Sequence, residues 1–109
     1  MYQYDYVPNG INDEIISILP NLSNHPNPFN PSTSISYNIL VSGKVNLSIY
    51  NIKGQRVKQL IDTKLSSGSH TVTWNGKNSS NKSVSSGIYY SKLKINGIET
   101  STCKMLLLK

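Results

Sequence analysis

From Thr33 onward the chain alternates between apolar and polar positions. Ile35, Tyr37, Ile39 and Val41 are separated by Ser36, Asn38 and Leu40, and Val45, Leu47 and Ile49 by Asn46 and Ser48, with Tyr50 following. A period of two sends successive side chains to opposite faces of an extended chain, so each run predicts a strand with one apolar face. The pattern returns in His70, Val72 and Trp74 against Thr71 and Thr73, in "IYYSKLKI" from Ile88, and in "IETSTCKMLLLK" at the C-terminus. Turn signals separate the runs: Ser42-Gly43, "NIKGQ" with Gly54 where positive φ is needed, "SSGS" from Ser66, and Asn96-Gly97. "RVKQLIDTKL" after Gly54 completes a hairpin with the run before it. Six or seven short strands at spacings of roughly 8 to 12 residues predict an all-β sandwich.

Two stretches break the rhythm. "HPNPFNPST", residues 25–33, carries three prolines and two asparagines. Each proline fixes its own φ and biases the residue before it toward extended geometry, so this ramp predicts a rigid, extended lead-in to the first strand, with Phe29 pinned against the end of the sandwich. "NGKNSSNKSVSSG", residues 75–87, predicts a long polar loop with no structure of its own, the natural place to look for a ligand. Residues 1–21 differ from the rest: Tyr-rich and acidic, with "PNG" as a turn and "EIISIL" as a short apolar run ended by Pro20. They predict a linker or the tail of an upstream domain, with residues 22–109 as the folded unit.

Composition sharpens the β reading. Alanine is absent, while Ser, Asn, Ile, Val and Tyr are plentiful, which disfavours helix. The net charge of +6 comes from ten lysines and one arginine, Arg56. Readers of nucleic acid rely on arginine forks and stacked aromatics, whereas these lysines are scattered singly, so they predict solvated faces and no nucleic-acid partner. A weak attraction to an anionic cell envelope is compatible with the charge. Cys103 has no partner for an internal disulfide and predicts a buried strand residue. No segment has the roughly 18 apolar residues of a membrane span, and "MYQYDYVPNG" lacks the pattern of a signal peptide.

Candidate chemistry is sparse. The histidines are His25 and His70, and beyond Glu14 the acids are Asp62 and Glu99. No nucleophile elbow, zinc-binding helix motif, phosphate loop or dinucleotide fingerprint occurs, which predicts a protein that is not an enzyme. The polar loop contains no Asp or Glu, so calcium is not expected, and no cofactor is implied. The N-x-S triplets at Asn21, Asn46 and Asn78 are read as chance in so Asn- and Ser-rich a chain.

Five motifs occur in a particular order: "HPNPFNPSTSISYNI", "VNLSIYNIKGQRVKQL", "SGSHTVTWNGKN", "SSGIYYSKLK" and "KMLLLK". Together, over residues 22–109, they resemble the type A C-terminal sorting domain of bacterial type IX secretion, which is similar to the immunoglobulin-like domain of the flagellar hook-cap protein. The resemblance implies an immunoglobulin-like antiparallel β-sandwich of about seven strands. It also implies a non-catalytic signal that the outer-membrane type IX translocon and sorting machinery recognise, at the end of a larger exported cargo. The chain is then expected to be a C-terminal fragment of a secreted or surface-attached bacterial protein. Carried over by position, Asn27, Pro28, Phe29, Asn30 and Pro31 match the lead-in motif. Tyr50, Gly54, Val57, Trp74, Gly76, Gly87, Tyr89 and Leu93 match core and turn positions. Lys104, Met105, Leu106, Leu107, Leu108 and Lys109 match the exposed strand that the translocon reads, with Met105 and Leu107 inward and the two lysines solvated.

The chain departs from that pattern where relatives commonly carry Asp. Asn75 and Asn78 stand there instead, which weakens any calcium role, and Asn81 replaces a usual glycine. A different class of function is a generic binding or assembly module of the same fold. A sugar-binding version would present coplanar aromatics, with Tyr37, Tyr50 and Tyr90 as candidates. An enzymatic version would require a cluster around His70 and Asp62.

Overall fold

The computed structural model describes residues 22–109, and the reading of residues 1–21 as a linker lies outside them. Seven strands form two antiparallel sheets. They are β1 (Leu22–His25), β2 (Thr33–Ile39), β3 (Gly43–Asn51), β4 (Arg56–Leu65), β5 (Gly68–Trp74), β6 (Gly87–Ile95) and β7 (Ile98–Leu107). One sheet has the order β1-β2-β5 and the other β4-β3-β6-β7. Among the described residues no helix is long and apolar enough to cross a membrane.

The alternation read from the sequence becomes the core. Ile35, Tyr37 and Ile39 of β2 face Val45, Leu47 and Ile49 of β3, together with Tyr89 and Leu93 of β6 and Met105 and Leu107 of β7, all buried between the sheets. Burying each such aliphatic side chain contributes about 1.5–3 kcal/mol, which is why a one-residue slip in any strand is excluded. Two inward positions are polar, Thr33 of β2 and Ser91 of β6. The Ser91 hydroxyl, level with Ile49 on one side and Cys103 on the other, is buried without a hydrogen-bond partner.

Four expectations change. Residues 22–25, to which the sequence pattern assigns no strand, form β1, which pairs with β2 from Leu22 opposite Tyr37 to His25 opposite Ser34. The proline ramp is not extended: it runs as bends from Pro26 to Pro31, with the His25–Pro26, Asn27–Pro28 and Asn30–Pro31 peptides cis. Val41 does not continue the inward face of β2, because the strand ends at Ile39 and the chain bends across to the other sheet, leaving Val41 73% exposed. Cys103 is half-buried rather than buried, since its side of β7 faces the small strand β1 instead of a full sheet.

The registers give the sandwich two distinct ends. At one end lie the ramp, the turn at residues 51–55, the loop at residues 75–86 and the C-terminus, joined by Thr33 opposite Trp74 and Gly87 opposite Leu107. At the other lie the bend at residues 40–42, the connection at residues 66–67 and the hairpin turn Asn96-Gly97. Both turn residues there have positive φ, 52° and 81°, as a tight two-residue hairpin requires.

Candidate functional site: the proline ramp and the terminal strand

Two motifs far apart in sequence meet at the first of these ends. The side-chain amide of Asn27 donates to the Lys104 carbonyl (3.2 Å) and its oxygen accepts from the Leu106 amide (3.0 Å). Phe29 continues the pairing through its backbone: its N–H donates to the Leu106 carbonyl (3.0 Å), and its carbonyl accepts from Leu108 N–H (3.0 Å). The ramp therefore lies beside β7 as a short parallel partner, with Phe29 opposite Leu107. This tie explains why the ramp bends. A straight extension from β1 would carry Phe29 away from the strand that satisfies it.

The expectation of an exposed terminal strand needs correction in consequence. The backbone edge of β7 at residues 104–108 is occupied by Asn27 and Phe29, so it is not a free edge open to another strand. What faces solvent is side chain: Lys104, Leu108 and Lys109 are exposed, Leu106 is half-buried, and Met105 and Leu107 are fully buried. Asn27, Pro28, Asn30 and Pro31 are also exposed, which makes one continuous surface of ramp and strand.

Beneath that surface Phe29 turns inward. Its ring lies 5.6 Å from Trp74, and Trp74 meets Tyr89 edge-on at 5.3 Å, a geometry aromatic pairs prefer. The polar handles of the two larger rings are satisfied locally: Trp74 Nε1 donates to the Lys77 carbonyl (2.9 Å) and the Tyr89 hydroxyl to the Ser85 carbonyl (2.7 Å). Gly76, at φ 72°, lets the loop pass close to the ramp, since a Cβ there would sit 2.9 Å from the Pro31 carbonyl oxygen. Gly54 and Gly87 also take positive φ, with open space around them. Val57 is half-buried against the core, Tyr50 lies on the outer face of its sheet under the Lys92 ammonium at 5.0 Å, and Leu93 sits deep in the core away from the ramp.

Comparison with known proteins fits this framework. The sequence profile of the FlgD Ig-like domain matches residues 35–97, more than half of the chain. The chain belongs to the FlgD Ig-like domain family. Among solved structures it is similar to FlgD from P. aeruginosa, at 28% identity and a TM-score of 0.50 over 69% of this chain and 57% of that one. It is also similar to PorZ, described as an essential bacterial surface component of the type IX secretion system of Porphyromonas gingivalis, at 17% identity and a TM-score of 0.58. Dimeric latent PorU from the same organism aligns at 16% identity with a TM-score of 0.69. The last two likenesses are of fold, each covering 82% of this chain but only 12% of PorZ and 9% of PorU. No curated protein sequence matches. The FlgD Ig-like match stops short of both partners of the tie, since the ramp precedes residue 35 and the terminal residues follow 97.

Other candidate chemistry falls elsewhere on this FlgD-type sandwich. The loop at residues 75–87 has structure of its own, against expectation. Asn78 accepts from the Ser80 and Lys82 amides, Lys77 bridges to Ser83, and Asn81 adopts φ 62°, the left-handed geometry that Asn tolerates in place of glycine. A polar cleft of about 520 Å³ lies between this loop and the turn at residues 51–55. Its Asn51, Asn78, Ser79 and Tyr89 side chains already bond to neighbouring chain atoms. The three candidate tyrosines do not share a face: Tyr37 is buried and stacked on His70 in one sheet, whereas Tyr50 and Tyr90 are half-buried cross-strand neighbours on the other. His70 donates through Nε2 to the Ser66 carbonyl (2.8 Å) and Asp62 pairs with Lys44 (3.7 Å), so they have separate partners on separate sheets. Among the described residues no three His, Cys, Asp or Glu side chains form a group that could hold a metal.

Sequence reasoning missed Asn24, Thr33 and Ser86. Asn24 donates to the Thr33 hydroxyl and the Pro26 carbonyl, Thr33 donates to the same carbonyl, and the Cys103 thiol donates to Asn24 Oδ1 (3.3 Å). Ser86 accepts from the Lys109 amide. Asn24 and Thr33 are polar residues flanking the prolines and Ser86 lies in the Ser-rich loop, and such positions carry no period. Burial pushes the Cys103 thiol above its ordinary pKa.

Proposed function

We propose that this domain is a non-catalytic C-terminal sorting module that directs an upstream cargo through the outer-membrane type IX translocon to the cell surface. The observation that carries the reading is the four-bond tie of Asn27 and Phe29 to residues 104–108. It joins the first and the last of the five motifs that carry the resemblance to sorting domains into one exposed surface. Lys104, Leu108 and Lys109, with Asn27, Pro28, Asn30 and Pro31 beside them, are the groups a receptor would touch. The likeness in fold to PorZ, a surface component of that secretion system, supports the same direction.

A second reading is an assembly module of the hook-cap type, favoured by the FlgD Ig-like family match and the 28% identity to FlgD. One experiment separates the two. The chain is fused behind a periplasmic reporter in a bacterium with type IX secretion, beside the variant K104E/K109E. Deleting residues 104–109 is the wrong comparison, because it removes the fully buried Met105 and Leu107. Under the sorting reading the intact fusion reaches the surface or medium, and the charge-reversed one, still folded, stays in the periplasm. An intact fusion retained in the periplasm sinks the sorting reading and leaves the assembly module.

A further inference from the structure

Residues paired across the four-stranded sheet stand in rows on its outer face, and two adjacent rows differ from the rest in charge. The first, from β4 to β7, is Arg56, Tyr50, Tyr90 and Lys104, and the second is Gln59, Ser48, Lys92 and Thr102. Their members on β3, β6 and β7 flank the inward Ile49, Ser91 and Cys103, so they point the other way. These two rows hold three cations and no acid. The acidic side chains of the described residues, Asp62 and Glu99, both lie in the third row, with Asn46 and Lys94 between them. There Asp62 pairs with Lys44 (3.7 Å), and Glu99 accepts from the Thr102 hydroxyl (3.0 Å), which bounds the cationic area. Among the described residues Arg56, Lys92 and Lys104 have no acidic partner.

Two of these cations are held in place. Gln59 Oε1 accepts from Arg56 Nη1 (2.9 Å) and Asn46 Nδ2 (3.1 Å), and Asn46 Oδ1 accepts from the Ser48 hydroxyl (2.9 Å). Ser48 faces outward yet is fully buried, so the side chains around it close over it as one layer. That layer fixes one edge of the exposed Arg56 guanidinium and leaves its other N–H donors free for a ligand. Lys92 is fixed from the other side, its ammonium over the Tyr50 ring at 5.0 Å. Groups ordered in advance lose less entropy on binding than free surface lysines do.

The occupant that fits is an anion long enough to cross strands. The first row spans three strand spacings of about 4.8 Å, roughly 14 Å, with a cation at each end and two tyrosines between. Neither row holds an aliphatic side chain and the Tyr50 ring is already covered, so an acidic polypeptide would find little of the desolvated apolar core that protein interfaces require. A single-stranded polynucleotide stacks its bases on open aromatic faces, and Lys92 occupies that of Tyr50. Acidic sugars need neither feature. Their carboxylates meet the cations, and their ring hydroxyls meet Gln59, Thr102 and the tyrosine hydroxyls.

We propose that the outer face of the β4-β3-β6-β7 sheet, at Arg56, Tyr50, Tyr90 and Lys92, binds an acidic polysaccharide, a chain of pyranose units bearing carboxylates. The inference is independent of the secretion reading, and its test leaves Lys104 and Lys109 untouched.

The test titrates the isotopically labelled 109-residue chain with trigalacturonate and follows the amide signals by NMR. Saturable shifts are expected at Tyr50, Tyr90, Lys92 and Thr102, with Thr71 on the other sheet unaffected, and maltotriose, an uncharged trisaccharide, is expected to move none of them. Arg56→Gln and Lys92→Gln should each weaken binding about tenfold, the loss of one charge-assisted contact. Lys44→Gln, which removes an equal charge beside Asp62, should leave the affinity unchanged. All three positions lie outside the core. Absence of saturable shifts on this face overturns the proposal. So does triglutamate or trithymidylate binding there as tightly, which makes the partner an acidic polypeptide or a polynucleotide, or an equal loss with Lys44→Gln, which reduces the effect to net charge.

Discussion

The two ends of this sandwich solve the same problem in different ways. Both must terminate the core formed by β2, β3, β6 and β7. At the ramp end the solution is polar and covalently close to the aromatic core: Asn27 and Phe29 satisfy the edge of β7, Gly76 admits the loop, and the Phe29–Trp74–Tyr89 cluster fills the space beneath. Its exposed apolar residues, Ile52 and Leu108, stand singly. At the opposite end the turns are short, and Leu40, Val41 and Ile98 form one open hollow. The contrast teaches that closure of a sandwich is not a property of its strands. It is supplied by the segments that cross the end, and at the apolar end those crossings, residues 40–42 and 66–67, are short.

The comparison can be broken first at Trp74. Trp74→Ala removes a fully buried ring with two aromatic neighbours, and should destabilise the domain by about 3–5 kcal/mol in chemical denaturation, the range for such truncations. A loss of under about 1 kcal/mol would mean that the ramp end is not closed by this cluster. Next comes a matched pair of glycines. Gly76→Ala and Gly97→Ala share a positive φ, 72° and 81°, but only the former drives a Cβ to 2.9 Å from backbone, at Pro31. Gly97→Ala should lose only the left-handed backbone term, about 1 kcal/mol, and Gly76→Ala clearly more. Equal losses would say that the two ends are equally loose.

Asn27→Ala isolates the tie itself. It removes two hydrogen bonds at an exposed position, so about 1–2 kcal/mol is expected, with faster hydrogen exchange at the Leu106 amide than at amides of the β6–β7 hairpin. Ser91→Ala, between the ends, should be neutral or stabilising by up to about 1 kcal/mol, because it deletes a buried hydroxyl with no partner. The smallest effect is chemical. With its pKa raised by burial, the Cys103 thiol should alkylate more slowly in the folded protein than in urea at the same pH. The sign on stability follows: the unfolded thiol ionises first, so the term is complete below its unfolded pKa and declines as pH rises from there toward the folded value. Equal alkylation rates would place the thiol in open solvent.

The strands were legible because their apolar residues repeat every second position, as in Val45, Leu47 and Ile49, and because a sheet has two faces that such a repeat must obey. The left-handed turn positions were legible too, at Gly54, Asn81 and Asn96-Gly97, since few residues accept that backbone. The short β1 was hidden because Leu22 is its only aliphatic residue, and no period can be read from one. Val41 misled because alternation persists in sequence after the chain has turned away. The pairing of the ramp with β7 was legible only as two separate motifs, because Asn27 and Leu106 lie 79 residues apart and their meeting is decided by how the sheets stack.

That pairing has a mechanical side. The first described residues start at the apolar end, the last finish at the ramp end, and Phe29 and Leu107 run in the same direction where they meet. Tension applied between the two termini pulls the ramp and β7 past one another along their lengths. The hydrogen bonds between them lie across the pull and are loaded together, where a hairpin opened from its free end would lose them one at a time. The fold thus resists being drawn apart by its own chain ends most strongly in its folded register, and slackens once that register slips.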